Sequence, residues 1–273
     1  MLAGKYFVLL LFMMSLVGCA RIDLHEEGKI YLSTDWSEKM DGIHLDGRYM
    51  VLIGSDTLYF NGLKNELPSY YPGSYSTYIY NPVLGITIKD GLATVAQESG
   101  MLLPSPGWLF SAYVDIQIEN DSERDVEVKV QQQVRELTLV LKPTGGTKDR
   151  IKNIQAKLSG VAGQWDLKSN SAKGNGMEVP LQFNKQSNGD WTAIVRLLGC
   201  VGTSQMLSGS VSFQDGIPEN LIISSDLSSS MKDFNQQKHV PLQLQAGFET
   251  QTAVGFEVSI RDWVVVNESG TAW

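Results

Sequence analysis

Few residues in this 273-residue chain have the type and spacing to do chemistry. Cysteine occurs twice, at Cys19 and Cys200, and histidine three times, at His25, His44 and His239. None of the histidines has a second histidine or cysteine at ligand spacing, so no zinc site is expected. There is no Gly-x-Ser-x-Gly nucleophile elbow and no phosphate-cradling glycine loop. Gly145-Gly146 lies in "KPTGGTKD", which reads as a loop between strands. Asp115, Asp121 and Asp125 could bind calcium, but they lack the EF-hand spacing and its central glycine and read as a solvated turn. Paired carboxylates for glycoside hydrolysis are a spatial feature that sequence does not display. A reactive thiol would need a basic partner in an electropositive setting. Cys200 instead closes "IVRLLGC", a buried-strand pattern in which free cysteine behaves as a small hydrophobe. The chain is therefore expected to be no enzyme and to hold no metal or cofactor.

Cys19 differs from Cys200 by its position. One positive residue, Lys5, precedes "YFVLLLFMMSLV" (6–17), an uncharged run that stops at Gly18, directly before Cys19. A membrane-spanning helix needs roughly 20 apolar residues. A secretory signal needs about 7 to 15 after a positive start, then small residues at the cut. The run fits a signal. "Leu16-Val17-Gly18-Cys19" resembles the lipobox of bacterial lipoproteins, which implies cleavage after Gly18 and a thioether from Cys19 to diacylglycerol. One acyl chain binds a membrane marginally and two or more anchor stably. Residues 1–18 are expected to be a discarded lipoprotein signal and residues 19–28 a lipidated tether. The covalent lipid on Cys19 is the one non-protein group expected.

Removing residues 1–18 leaves 255 residues, enough for one large or two medium domains. It also takes Lys5, leaving 21 basic against 30 acidic residues, a net charge of −9. No basic footprint for nucleic acid remains. With Cys19 acylated, Cys200 has no intramolecular disulfide partner.

The elements that must position these residues read as strands. In "IYLSTDW", Ile30, Leu32, Thr34 and Trp36 share one face. "YSTYIY" (75–80) alternates after a Pro72-Gly73 turn. "ITIKDGLATV" (86–95) is a hairpin, because Asp90-Gly91 tolerates the positive φ of a primed turn. In "VEVKVQQQVRELTLVLK" (126–142), Val126, Val128, Val130 and Val134 share one parity, and Leu137, Leu139 and Leu141 share the other. A strand cannot change its buried face without a bulge, bend or break. A domain boundary is therefore placed at 126, giving domains 29–126 and 127–273. Beyond it, Val179, Leu181 and Phe183 alternate toward a Ser187–Asp190 turn, and Trp191, Ala193, Val195 and Leu197 alternate on the return. "LSGSVSF", "VPLQL" and "VGFEVSIRDWVVV" supply further strands, the last with a bulge expected near Arg261-Asp262. Residues 148–158 fit either a helix or a strand. In "SSDLSSSMKDFN" (224–235), Leu227, Met231 and Phe234 have helical spacing behind a Ser225 or Asp226 cap.

Tryptophans could stack on sugar rings if exposed. Trp36, Trp191 and Trp263 occupy alternating strand positions and read as core. Trp108 and Trp165 follow turn-like residues and are the candidates for glycan stacking.

With these elements in place, the chain resembles the FimB-type fimbrial family, the fimbrillin-associated lipoproteins of anaerobic Gram-negative bacteria. The matching stretches are "GKIYLSTDWS", "YPGSYSTYIYNP", "QQQVRELTLVLK", "LSGVAGQWDL", "WTAIVRLLGCVG" and "SSDLSSSMKDFNQQKHVPL", spanning residues 28–243. The resemblance implies an all-β fold of two tandem transthyretin-like Greek-key sandwiches, with a short helix in the second. It implies an anchor, tip or accessory subunit of a surface fimbria, lipid-anchored in the outer membrane. Its partners would be pilin subunits, joined by strand addition. Polymerising pilins of such fimbriae lose their first strand to an arginine-directed protease, whereas an anchor keeps it. Here "KIYLST" would be that strand, and Arg48, after the first loop, is the arginine at which a cut would open a groove. The rival reading is a lipid-anchored glycan-binding protein of a polysaccharide-uptake system, using Trp108 and Trp165.

Overall fold

The computed structural model describes residues 26–216, 219–250, 257–260 and 263–266. The strands of the first half are β1 (Lys29–Asp35), β2 (Arg48–Ile53), β3 (Asp56–Asn61), β4 (Lys64–Glu66), β5 (Gly73–Tyr80), β6 (Ile86–Lys89), β7 (Leu92–Val95), β8 (Gln97–Glu98) and β9 (Met101–Leu102). Then come β10 (Phe110–Ile118), β11 (Glu123–Lys129), β12 (Gln131–Gln132) and β13 (Arg135–Thr144). The second half has β14 (Ile151–Asp166), β15 (Ser171–Lys185), β16 (Trp191–Leu197), β17 (Met206–Phe213), β18 (Leu221–Asp226) and the short helix α1 (Ser228–Met231). It ends with β19 (Leu242–Glu249), β20 (Glu257–Ser259) and β21 (Val264–Val265).

Alternating apolar residues build two cores. Among the described residues, β11-β1-β4 form a three-stranded sheet and β12-β10-β5-β2-β3 a five-stranded one. Their inward side chains, including Ile30, Leu32, Val51, Ile79, Phe110 and Val128, meet in the first core. The second sandwich follows the path β20-β18-β17-β14-β15-β16-β13-β19-β21. Leu137, Leu139, Val195 and Leu244 on one side meet Ile154, Leu158, Val211 and Ile223 on the other. Both sandwiches begin with the same device: β1 runs parallel to β11, and β13 runs parallel to β19.

The parity switch marks the passage between sandwiches. Val126, Val128 and Val130 belong to the first core, while Val134 joins Leu137, Leu139 and Leu141 in the second. The expected division at 126/127 falls inside β11, which pairs with β1 as far as Lys129. Residues 86–102 were expected in the first sandwich. They pack on the second, because β7 pairs with β14 and Ile86, Ala93, Val95 and Leu102 enter its core. The outer face of the five-stranded sheet, through Met50, Leu52 and Tyr78, leans on that same core.

Asp90 (φ 51°) and Gly91 (φ 75°) form the β6–β7 turn. The ambiguous segment 148–158 is a 3₁₀ turn leading into β14, a strand that shifts register between Leu158 and Val161. Gly160 sits in that irregularity at φ +71°, and a side chain there would collide with the Ser204 carbonyl. The helix is shorter than its spacing suggests, because residues 224–226 belong to β18. Leu227, Met231 and Phe234 are nevertheless all buried. β20 pairs with β18 and β21 with β19, so the last strands lie on opposite edges of the second sandwich. Arg261-Asp262 lie outside the described residues.

Candidate functional site

The feature that distinguishes a subunit with an open groove from one with a filled groove is β1. It is the middle strand of its sheet, paired parallel to β11 over all seven of its residues and antiparallel to β4 through Tyr31, Leu32 and Ser33. Ile30, Leu32 and Thr34 point inward and are buried, as the alternation requires. Both ends are pinned. At the start, the Glu26 N–H donates to Asn120 Oδ1 (2.6 Å). The Lys29 N–H donates to the Ser122 carbonyl (2.7 Å), and Gly28 and Tyr70 exchange two backbone bonds (2.8 and 3.1 Å). At the far end, the Val130 N–H donates to the Asp35 carbonyl and the Thr34 N–H to the Leu63 carbonyl (both 2.8 Å). Trp36 Nε1 donates to Thr34 Oγ1, and its ring packs beside Tyr49 and Phe110. The rim pairs Lys29–Glu123 and Lys64–Asp125 are long and exposed, so they add little to packing and backbone pairing. Removing β1 would leave a gap between β11 and β4 floored by apolar side chains.

Arg48 is the first residue of β2, in register with Asn61 of β3. Its guanidinium donates through Nε and Nη2 to Asp46 Oδ2, and its N–H donates to Asp46 Oδ1. The side-chain hydrogen bonds from Arg48 are the main reason the Asp46 carboxyl lies below the usual range. The following residue, Tyr49, is 2 % exposed and accepts a hydrogen bond at its hydroxyl from Asn65 (2.7 Å). Burial pushes its phenol up.

The tryptophan candidates separate. Trp165, expected as an open platform, is 1 % exposed. Its indole donates to Asn170 Oδ1, and Lys238 Nζ lies over its ring at 3.0 Å. It faces inward because "VAGQWD" is part of β14 rather than the turn that follows. Trp108 is half-buried, packs on both cores and carries the Arg196 guanidinium 5.0 Å over its ring. Trp165 is therefore no open platform, and Arg196 lies over one face of Trp108.

Cys200 is buried, and burial raises its thiol to about 12. Asn235 holds its backbone on both sides, accepting from the Cys200 N–H and donating to its carbonyl (2.8 Å each). Among the described residues, no group of three or more His, Cys, Asp or Glu could hold a metal. Among the same residues, no helix is long and apolar enough to cross a membrane. Cys19, Gly18 and His25 lie outside the described residues.

The sequence reading missed a buried pair of basic side chains, Arg135 and Lys238. Lys238 donates to the Gln133 and Leu198 carbonyls (3.0 and 2.9 Å). Arg135 donates to the carbonyls of Val240, Asp233, Phe234 and Gln236. Together they pin the segment around α1 to the start of β13. Arg135 had a legible signal: it shares parity with Leu137, Leu139 and Leu141. Lys238, in "QQKHV", had none.

The described residues form two β-sandwiches, with β1 paired on both edges in the first, and comparison with known proteins gives the family. The family model of fimbrillin-A associated anchor proteins Mfa1 and Mfa2 matches residues 46–269, most of the chain. The chain belongs to that family. Its fold is similar to the fimbrial anchor protein Mfa2 of Porphyromonas gingivalis (TM-score 0.63, 9% identity, 88% of this chain and 97% of that one). It is also similar to a Bacteroides ovatus protein described as an adhesin (TM-score 0.63, 14% identity, 94% and 99%). A Bacteroides thetaiotaomicron protein described as polysaccharide-binding shares the fold too (TM-score 0.55, 6% identity, 90% and 100%). No curated protein sequence matches the chain.

Proposed function

We propose that this chain is an outer-membrane, cell-surface lipoprotein, acylated at Cys19, that holds the base of a fimbria and keeps its first strand uncut. The observation that carries this reading is β1, paired on both edges and pinned at both ends. A polymerising subunit of the kind described above needs that position empty. In an anchor, β1 links the lipid to the folded domain. The expected tether, residues 19–28, leads directly into it, and the 119–122 turn holds Glu26 and Lys29 at that junction. Arg48 supports retention, since the Arg48–Tyr49 bond lies in a paired strand with its second residue buried. The burial of Trp165 and the covered face of Trp108 weigh against the glycan-uptake reading.

The test is made in cells. Labelled palmitate is expected in the wild type and absent in Cys19→Ala, and deletion of the chain should release fibres into the medium. Immunogold label should lie at fibre bases. Mature protein beginning at Tyr49 would make the chain a polymerising subunit and overturn the proposal.

A further inference from the structure

An anchor whose first groove is filled needs another place to hold its partner. Resting on that reading, we infer that the free edge of β10, at the junction of the two sandwiches, receives an extended terminal segment of a fibre subunit.

The backbone parity of β10 identifies which groups are free. Phe110 directs both backbone groups toward β5: its carbonyl accepts from the Asn81 N–H and its N–H donates to Asn81 Oδ1. The Leu109 carbonyl points the other way and accepts from the Gln133 N–H. Odd-numbered residues of β10 therefore present their N–H and C=O groups on the side away from β5. On that side β12 pairs only with Phe110 and Ser111. Beyond Ser111, no strand among the described residues covers Tyr113, Asp115 and Gln117. Arg124 occupies one of these groups, the Gln117 carbonyl (2.8 Å). The edge carries no proline and no lysine, the usual guards against strand addition. The neighbouring β11, "ERDVEVK", is by contrast studded with charges.

A second observation points to the same place. The open edge borders a cleft of about 330 Å³ whose lining includes Ser111, Tyr113, Gln131, Gln133 and, from the second sandwich, Lys168. Ser111 (1 % exposed) and Gln133 (3 % exposed) are buried there. Among the described residues, Ser111 Oγ and Gln133 Oε1 have no hydrogen-bond partner. Buried polar atoms are rarely left unpaired. A row of backbone donors and acceptors is complemented by another extended backbone. Such a strand would continue the line that β12 begins and bring polar groups to the end where the two unpaired atoms sit.

The test uses the full lipidated chain in its own cells. Benzoylphenylalanine is placed at Asp115 or, separately, at Tyr59 on the exposed edge strand β3. Crosslinked partners are identified by peptide mapping. In parallel, Asp115→Pro with Gln117→Pro removes two outward N–H groups without touching the backbone bonds to β5, and Asp115→Ala with Gln117→Ala controls for loss of the Asp115 carboxylate, to which Ser76 of β5 and Tyr113 donate. The inference expects crosslinks from position 115 to a terminal peptide of a fibre subunit. It also expects a roughly 10- to 100-fold loss of fibre retention in the double proline variant relative to the double alanine control, with the same melting temperature and acylation as that control. If the proline variant does not fold, the crosslinking result decides alone. Crosslinks from position 59 only, attachment at 115 to a folded surface, or unaltered retention with both prolines would overturn it. If fibres stay on cells lacking the chain, the anchor reading itself fails. If they are shed while β10 proves inert, only this inference fails.

Discussion

Lys238 Nζ lies 3.0 Å from the centroid of the Trp165 ring, with both side chains buried in the second sandwich. The lysine closes one of the two aromatic faces that the sequence offered for glycan stacking, and among the described residues no carboxylate pairs with it. Two carbonyls and a π-face complement its hydrogens, while burial pushes its amine well below the ordinary lysine range.

Stability should depend on pH through this group. Between its lowered folded value and 10.5, the unfolded chain binds a proton that the folded chain binds less, so this contribution to stability rises with pH and is lost as pH falls. Cys200 acts oppositely at higher pH: unfolded, it ionises near 9.0, but folded it holds its proton to about 12, so stability falls across that window. Urea midpoints at pH 7.5 and 9 should rise for the wild type relative to Lys238→Met. From pH 9 to 10.5, Cys200→Ala should decline less than the wild type. A pH-independent gap between wild type and Lys238→Met would show that Lys238 is not held as described.

Trp165→Ala should cost about 3–5 kcal/mol, the range for emptying a buried aromatic site. Loss of the ring also uncovers Lys238 and removes the packing of Gly199, whose Cα approaches the ring closely enough that a Cβ would clash with it. Urea denaturation measures the loss. A stable variant with altered sugar binding would contradict the burial.

Alternation made much of the fold legible, because each two-residue repeat reports which face of a strand is wet. Ile30, Leu32 and Thr34, the Asp90-Gly91 turn and the switch between Val130 and Leu137 were all readable this way. Local pattern does not say which sheet a hairpin joins, so β6 and β7 were placed with the wrong core. Nor does it reveal a lysine whose burial depends on carbonyls about 40 and 105 residues away. The flanks of β1 were equally hidden: Asn120, Tyr70 and Leu63 reach it only through tertiary folding.

Arg48 should resist an arginine-specific protease in the folded protein. Cleavage requires an extended segment to leave the sheet, and Tyr49 would have to leave the core with it. Cutting should therefore follow the population of opened molecules and accelerate steeply near the unfolding transition. Gel analysis with N-terminal sequencing would check this; rapid cleavage after Arg48 at full stability would mean that β2 opens locally.

The start of β1 makes the sharpest steric prediction. A Cβ on Gly28 would lie 2.6 Å from Ile118 Cγ2, 2.9 Å from the Glu119 carbonyl oxygen and 2.9 Å from Ser122 Oγ. The isoleucine could turn aside, but the carbonyl belongs to the backbone turn that holds Glu26 and Lys29, so Gly28→Ala must displace either the turn or the strand. The two bonds between Gly28 and Tyr70 would be strained in both cases. Overpacking of this kind costs about 1–3 kcal/mol. Gly247→Ala in β19 is the matched control, since its Cβ would meet nothing closer than 3.8 Å. Relief of glycine's backbone freedom there should leave stability unchanged or raise it by about 0.5–1 kcal/mol. If β1 carries the pull from the lipid, Gly28→Ala should also make residues before Arg48 more sensitive to proteolysis and lower the force at which the tether unravels in single-molecule stretching. Gly247→Ala should change neither. Equal effects from the two substitutions would refute the role assigned to the 119–122 turn.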